Sequence, residues 1–205
     1  MTDGSTLDAG PFAAWMHDIQ AAVRGERPAN VPCGECTACC RSSQFVHIAP
    51  DEHDALRHIP RELLFPAPRM PRGHVLMGYD EHGRCPMLSE DGCTIYDHRP
   101  RTCQTYDCRI FPATDTTPDD ASKASIADRA ARWRFQHPAD EDHVLHDAVR
   151  AASAYLREHG DEMDAGSVPA TATQRAVVAI EIHDLFTGQA TPSLHDVQVA
   201  IASRR

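Results

Sequence analysis

Phe12, Trp15, Ile19 and Val23 recur at helical spacing and the run closes at "RGERPANVP", so the pattern predicts one short amphipathic helix over residues 12–24. The character then changes. From residue 31 to about 112, short apolar runs such as "SQFVHI" and "HVLMGY" stand between turns, which predicts short strands. Nine of the fifteen prolines fall in this stretch and argue against long helices there. The exception is "PDEHDALRHI", whose acidic start and paired Leu56 and Ile59 predict a short helix. "DEHG" and "SEDG" read as turns and predict a β-meander around 74–97. "FPATDTTPDD", residues 111–120, is polar and proline-punctuated and reads as a linker. Beyond it the period is helical. Ile126, Ala130 and Trp133 share one stripe, and Leu145, Ala148, Val149, Ala152, Tyr155 and Leu156 form another. "TQRAVVAIEIHDLF" is apolar on most sides and reads as buried. A last helix opens near Thr191-Pro192, with Leu194, Val197 and Ile201 inward and Arg204 and Arg205 at its negative end.

These elements predict an α+β fold: a loop-rich, metal-stapled cysteine module with a small antiparallel sheet, followed by a helical C-terminal half. The expected divisions are 1–30 (helix and linker), 31–112 (cysteine module) and 113–205 (helical region). A chain of 205 residues can bury a real core without disulfides. Its first twenty residues lack a basic, apolar export signal, and no apolar run reaches membrane-spanning length, so the expectation is a soluble, cytoplasmic protein without a membrane partner. The net charge of −10 spreads as about −2, −2 and −6 over residues 1–30, 31–110 and 111–205. No segment carries the cationic excess that displaces counterions from nucleic acid, which argues against a nucleic-acid partner.

Composition changes this picture at one residue type. All eight cysteines lie in the proline-rich stretch, as Cys33-x2-Cys36-x2-Cys39-Cys40 and then Cys85-x7-Cys93-x9-Cys103-x4-Cys108. In a reducing compartment such a cluster points to metal binding or redox chemistry rather than a disulfide framework. A C-x2-C turn lets two thiolates converge on one cation, and four thiolates suit zinc or an iron–sulfur cluster. Three cysteines at intervals of three match the opening of a bacterial ferredoxin run, but Cys40 stands where that run has spacers. In extended backbone, the neighbours Cys39 and Cys40 would face opposite sides and could serve two centres. In a helical turn, both could instead approach Cys36. Spacing alone does not divide the eight ligands.

"CGECTACC" followed by "CPMLSEDGCTIYDHRPRTCQTYDC" resembles the CxxCxxCC cysteine-cluster family of zinc- or iron-chelating domains. The resemblance spans Cys33 to Cys108 and implies metal chelation by Cys33, Cys36, Cys39, Cys40, Cys85, Cys93, Cys103 and Cys108. It also implies a supporting turn at Ile95, Tyr96, Arg99 and Pro100. Gln104 departs from the basic residue expected after the third cysteine of the later block. The resemblance brings no reaction or substrate.

Thirteen histidines include His53 and His58 on the short helix and His143 and His146 one turn apart. Most read as solvent-facing, and Asp97-His98 as a polar loop ahead of Pro100. No phosphate loop, serine elbow or H-E-x-x-H run appears. The leading function is therefore a non-enzymatic metal-binding protein, with the metal ion as its partner and zinc narrowly preferred over iron. An iron–sulfur redox or enzyme-accessory protein is the first alternative. A thiol redox switch, with Arg41, Arg99, Arg101 and Arg109 near reactive thiolates, is the second.

Overall fold

The computed structural model describes residues 5–29, 31, 34–164, 168–188 and 190–203. The first amphipathic run forms α1 (Phe12–Val23), which buries Phe12, Trp15, Met16 and Ile19. Its own N-terminus has no capping side chain, and Asp142 fills that role from far along the chain, its Oδ1 accepting Ala13 N–H at 2.8 Å. At the other end Gly25 turns at φ +72 while its N–H and that of Glu26 return to Ala22 and Ala21, a left-handed helix stop.

The cysteine-rich stretch is built from short pieces. β2 (Val46–Ile48), β3 (Leu64–Pro66) and β4 (Val75–Met77) form an antiparallel sheet in the order β2-β4-β3, with Val46 and Leu64 both opposite Met77. The strands alternate as half-buried sheets do. Val46, Ile48 and Met77 face a small core shared with Ala55 of α2 (His53–His58), Ile59, Met87 and Ile95. β5 (Leu88–Ser89) and β6 (Gly92–Cys93) make a separate hairpin at the expected "SEDG" turn. The predicted meander is thus divided between two sheets. The turn at 80–83 does not lead into a neighbouring strand, because it delivers Cys85 to the first cysteine group instead, Cys85 N–H donating to Cys40 carbonyl at 2.7 Å.

Two short helices, α3 (Arg101–Thr105) and α4 (Ile110–Ala113), lead out of the module. Phe111 and Ala113 are fully buried, so the segment read as a linker opens as part of the core and its polar residues begin only afterwards. α5 (Ala124–Ala130), α6 (Asp140–Glu158), α7 (Ala172–Ile182) and α8 (Leu194–Ser203) follow, with the expected stripes inward. Arg204 and Arg205 lie outside the described residues. Trp133 is buried as expected, but on a strand: β7 (Trp133–Gln136) pairs in parallel with β1 (Leu7–Pro11), from Leu7 opposite Trp133 to Pro11 opposite Gln136. The main core joins α1, residues 108–113, α5, β7 and parts of α6 and α7, and a second joins α6, α7 and α8. Among the described residues, no helix is long and apolar enough to cross a membrane.

Candidate metal centre

The first cysteine run is held against the later block by its backbone. Cys39–Arg41 form a 3-10 turn, Arg41 N–H reaches Ala38 carbonyl, and Ser43 N–H donates to Gly83 carbonyl at 2.9 Å. Gly83 stands at φ +74, a left-handed conformation that glycine adopts without strain, and a side chain there would press on Ser43 Oγ, so glycine suits the close approach of the two loops. From the other side, Thr102 of α3 donates to His47 carbonyl of β2 at 2.7 Å, which brings Cys103 to the sheet.

Seven cysteines are described, and no disulfide joins any two of them; Cys33 lies outside the described residues. Cys85, Cys93 and Cys103 pack half-buried against the Met87–Ile95 core. Burial pushes the Cys40 thiol up to about 11, and the neighbouring Cys85, Cys93 and Cys36 push in the same direction. Cys103 is pushed up to about 12, first by burial and then by Cys85, Cys40 and Cys93. The Cys85 thiol is also raised, mainly by burial, against the pull of a Met87 N–H. Cys40, Cys85 and Cys103 are thus all held in their protonated form by burial together with neighbouring thiols. Arg99 opposes the shift at both Cys40 and Cys103, and its guanidinium lies 3.7 Å from the Tyr96 ring centre. The supporting turn stands as expected: Pro100 is buried ahead of α3, and Gln104, the departing residue, holds Arg99 carbonyl through its side-chain amide. Arg101 faces Asp51 at 2.8 Å instead of a thiol.

Cys39 and Cys108 belong elsewhere. Cys108 is buried in the main core, where the Trp133 indole N–H donates to its sulfur at 3.3 Å, while Cys39 is exposed. Both lie near Tyr106, whose phenol pKa is raised by burial and then by these two thiols and Asp107. The Tyr106 hydroxyl is shut from solvent and has no hydrogen-bond partner among the described residues. Such an orphan is costly, and beside two thiols it fits a site for a cation. The consecutive residues Cys39 and Cys40 thus turn to different thiol groups. Among the described residues, the thiols do not bring three sulfurs within 4.8 Å of one another.

The buried pair Asp107–Arg109 walls off the second group. Arg109 donates to both carboxylate oxygens at 2.8–3.0 Å, Trp15 indole N–H donates to Asp107 Oδ2 at 2.9 Å, and Arg109 also reaches Ala9 carbonyl. Tyr106, Asp107 and Trp133 were not legible as site residues, although "TYDCR" placed an aromatic and a charge pair around Cys108. The histidines divide too. His146 is buried, stacked on Phe12 at 4.1 Å with its Nδ1 2.7 Å from His137 Nε2, and His98 turns to Asp54.

The small sheets, short helices and convergent thiols define a cysteine-rich α+β metal-binding module. Residues 32–129 match the model of the CxxCxxCC family, described as a "Putative zinc- or iron-chelating domain", and over this span the chain is similar to that family. Neither a curated protein nor a solved structure matches the chain.

Proposed function

We propose that the protein is a non-enzymatic metal-binding protein of the cytoplasm, in which residues 31–112 form a module folded around its ions and residues 1–30 and 113–205 supply flanking helices. The observation that carries this reading is the shared environment of Cys40, Cys85, Cys93 and Cys103. Three of them, Cys40, Cys85 and Cys103, are held protonated by partial burial and by neighbouring thiols, a cost that a bound cation reverses. In this reading those four close on one zinc ion as it draws their sulfurs together, with Cys36 beside them. Cys39 and Cys108 make the second set, to which the Tyr106 oxygen is available. When bound, the ions neutralise the thiolates and tie the loops together. No nucleic-acid or membrane partner is part of this reading.

A second reading, an iron–sulfur redox or accessory protein, draws on one contact: the Trp133 N–H donating to Cys108 sulfur is the kind of hydrogen bond that tunes cluster potential. Anaerobic purification with elemental analysis and an absorption spectrum separates the two. Colourless protein with near-stoichiometric zinc supports the first. Brown protein with matching iron and acid-labile sulfide and little zinc supports the second. In either case Cys40→Ser and Cys103→Ser each lower the bound metal, and unchanged metal in both removes the ligand assignment.

A further inference from the structure

A separate cluster of ligand atoms, containing no cysteine, lies between α2 and the turn at Tyr96–His98. Asp54 and His58 stand four residues apart on α2, so their side chains leave one helical face. His98, in the 3-10 turn at Tyr96–His98, lies against both. His98 Nδ1 is 2.7 Å from Asp54 Oδ2, and His58 Nδ1 is 2.9 Å from Asp54 carbonyl oxygen and 3.9 Å from its Oδ1. The two imidazoles are stacked, with ring centres 3.6 Å apart and planes within 3°. One ligand atom from each of the three residues lies within 4.8 Å of the other two, and among the described residues no other trio of His, Cys, Asp or Glu does this.

Nitrogen and oxygen ligands sit about 2.0–2.2 Å from zinc, so neighbours in a tetrahedral shell stand roughly 3.3 Å apart. The 2.7 Å spacing of His98 runs to Asp54 Oδ2 and the 3.9 Å spacing of His58 to Oδ1, so binding through one oxygen requires a turn of the carboxylate, which the partial exposure of all three side chains allows. Asp54 and His98 line an open cleft of about 330 Å³, which leaves room for water on an ion's free positions. One competitor is present: Arg57 Nη2 donates to Asp54 Oδ1 at 3.1 Å, on a side chain that is 71% exposed and free to swing away.

We propose that Asp54, His58 and His98 form a thiol-free site for a divalent transition-metal ion, bound through two imidazole nitrogens and one carboxylate oxygen. This set differs in chemistry from the thiolate centres. Two histidines and a carboxylate hold zinc or ferrous iron with open positions, whereas all-thiolate sites are closed. The site stands whether the thiols hold zinc or iron.

The test uses the full chain, isolated with its thiol-bound metal, which is counted first. Equilibrium dialysis against Zn²⁺ then gives the expected result of one further ion per chain in the wild type and none in His58→Ala or His98→Ala. Asp54→Asn weakens this ion by about tenfold or more, and Arg57→Ala binds it at least as tightly. In parallel, ¹⁵N imidazole resonances of His58 and His98 shift when Zn²⁺ is added. Equal zinc counts in the wild type and both histidine variants, or no added ion in the wild type, overturn the proposal. A variant that has lost its thiol-bound metal is misfolded and is set aside; unshifted imidazole resonances in the wild type then overturn the proposal by themselves.

Discussion

At the scale of single residues, the most exacting feature is a full ion pair carried into the interior beside a thiol. Asp107 and Arg109 are 2% and 6% exposed, so removing one partner strands the other in the core. Arg109→Met should cost roughly 3–5 kcal/mol, read from urea unfolding, whereas replacing both residues with apolar ones should recover most of that. Tyr106 gives the opposite sign. Its hydroxyl is buried without a partner, so Tyr106→Phe should stabilise the metal-free chain by about 1–2 kcal/mol while lowering the metal kept by the Cys39–Cys108 group. A less stable metal-free variant would show that the hydroxyl has a partner there. The cysteines were legible because their spacing is itself the signal. Asp107 and Tyr106 were not, because what isolates them is the docking of Trp15 from α1, ninety-two residues from Asp107.

At the scale of elements, the contact between the 80–83 turn and the first cysteine run depends on backbone that only glycine adopts readily. Gly83→Ala should cost about 1–2 kcal/mol from its φ of +74 alone, since Ser43 Oγ can rotate out of the way. The same substitution should weaken metal retention, because it loosens the loop pairing that brings Cys85 to Cys40. Thermal melts with metal analysis before and after chelation check both effects. The long helices α6 and α7 were legible in their apolar period, which needs no partner to be read. The strands were legible only as short runs. Their pairing was not, because a strand of two or three residues carries too little pattern to fix its neighbour. The parallel pair β1 and β7 left no signal, since Leu7–Pro11 reads as a polar approach to α1 and Trp133 falls on a helical stripe by coincidence of spacing.

At the scale of the molecule, the two ends of the fold should respond to different insults. Chelation should strip hydrogen-exchange protection from β2, β4 and the β5–β6 hairpin while the cores of α6 and α7 keep theirs. Equal protection in both states would make the ions dispensable to folding. Acid should act on the helical side instead. Burial, then Arg150 and His137, hold His146 down to about 4, so it stays neutral in the folded chain, where His143, Asp142 and Asp147 are also close in sequence. Above about pH 6.5 both folded and unfolded chains are neutral at this site and its contribution is complete. As pH falls from there toward 4 the unfolded chain gains a proton that the folded chain refuses, and stability drops by up to roughly 3 kcal/mol. His146→Phe, which keeps the stack on Phe12, should flatten that slope in urea titrations between pH 7 and 4.

The pairing of β1 with β7 also sets an order in time. Leu7 cannot find Trp133 until more than a hundred further residues have been made, and at ribosomal speeds of about 5–20 residues per second that delay is roughly 6–25 seconds. Until then α1 has no strand to close over it, and every cysteine, since all precede Trp133 in the chain, is made before the main core can enclose it. The nascent chain therefore passes through a long stage in which its sulfurs are open to whatever ion, or oxidant, arrives first.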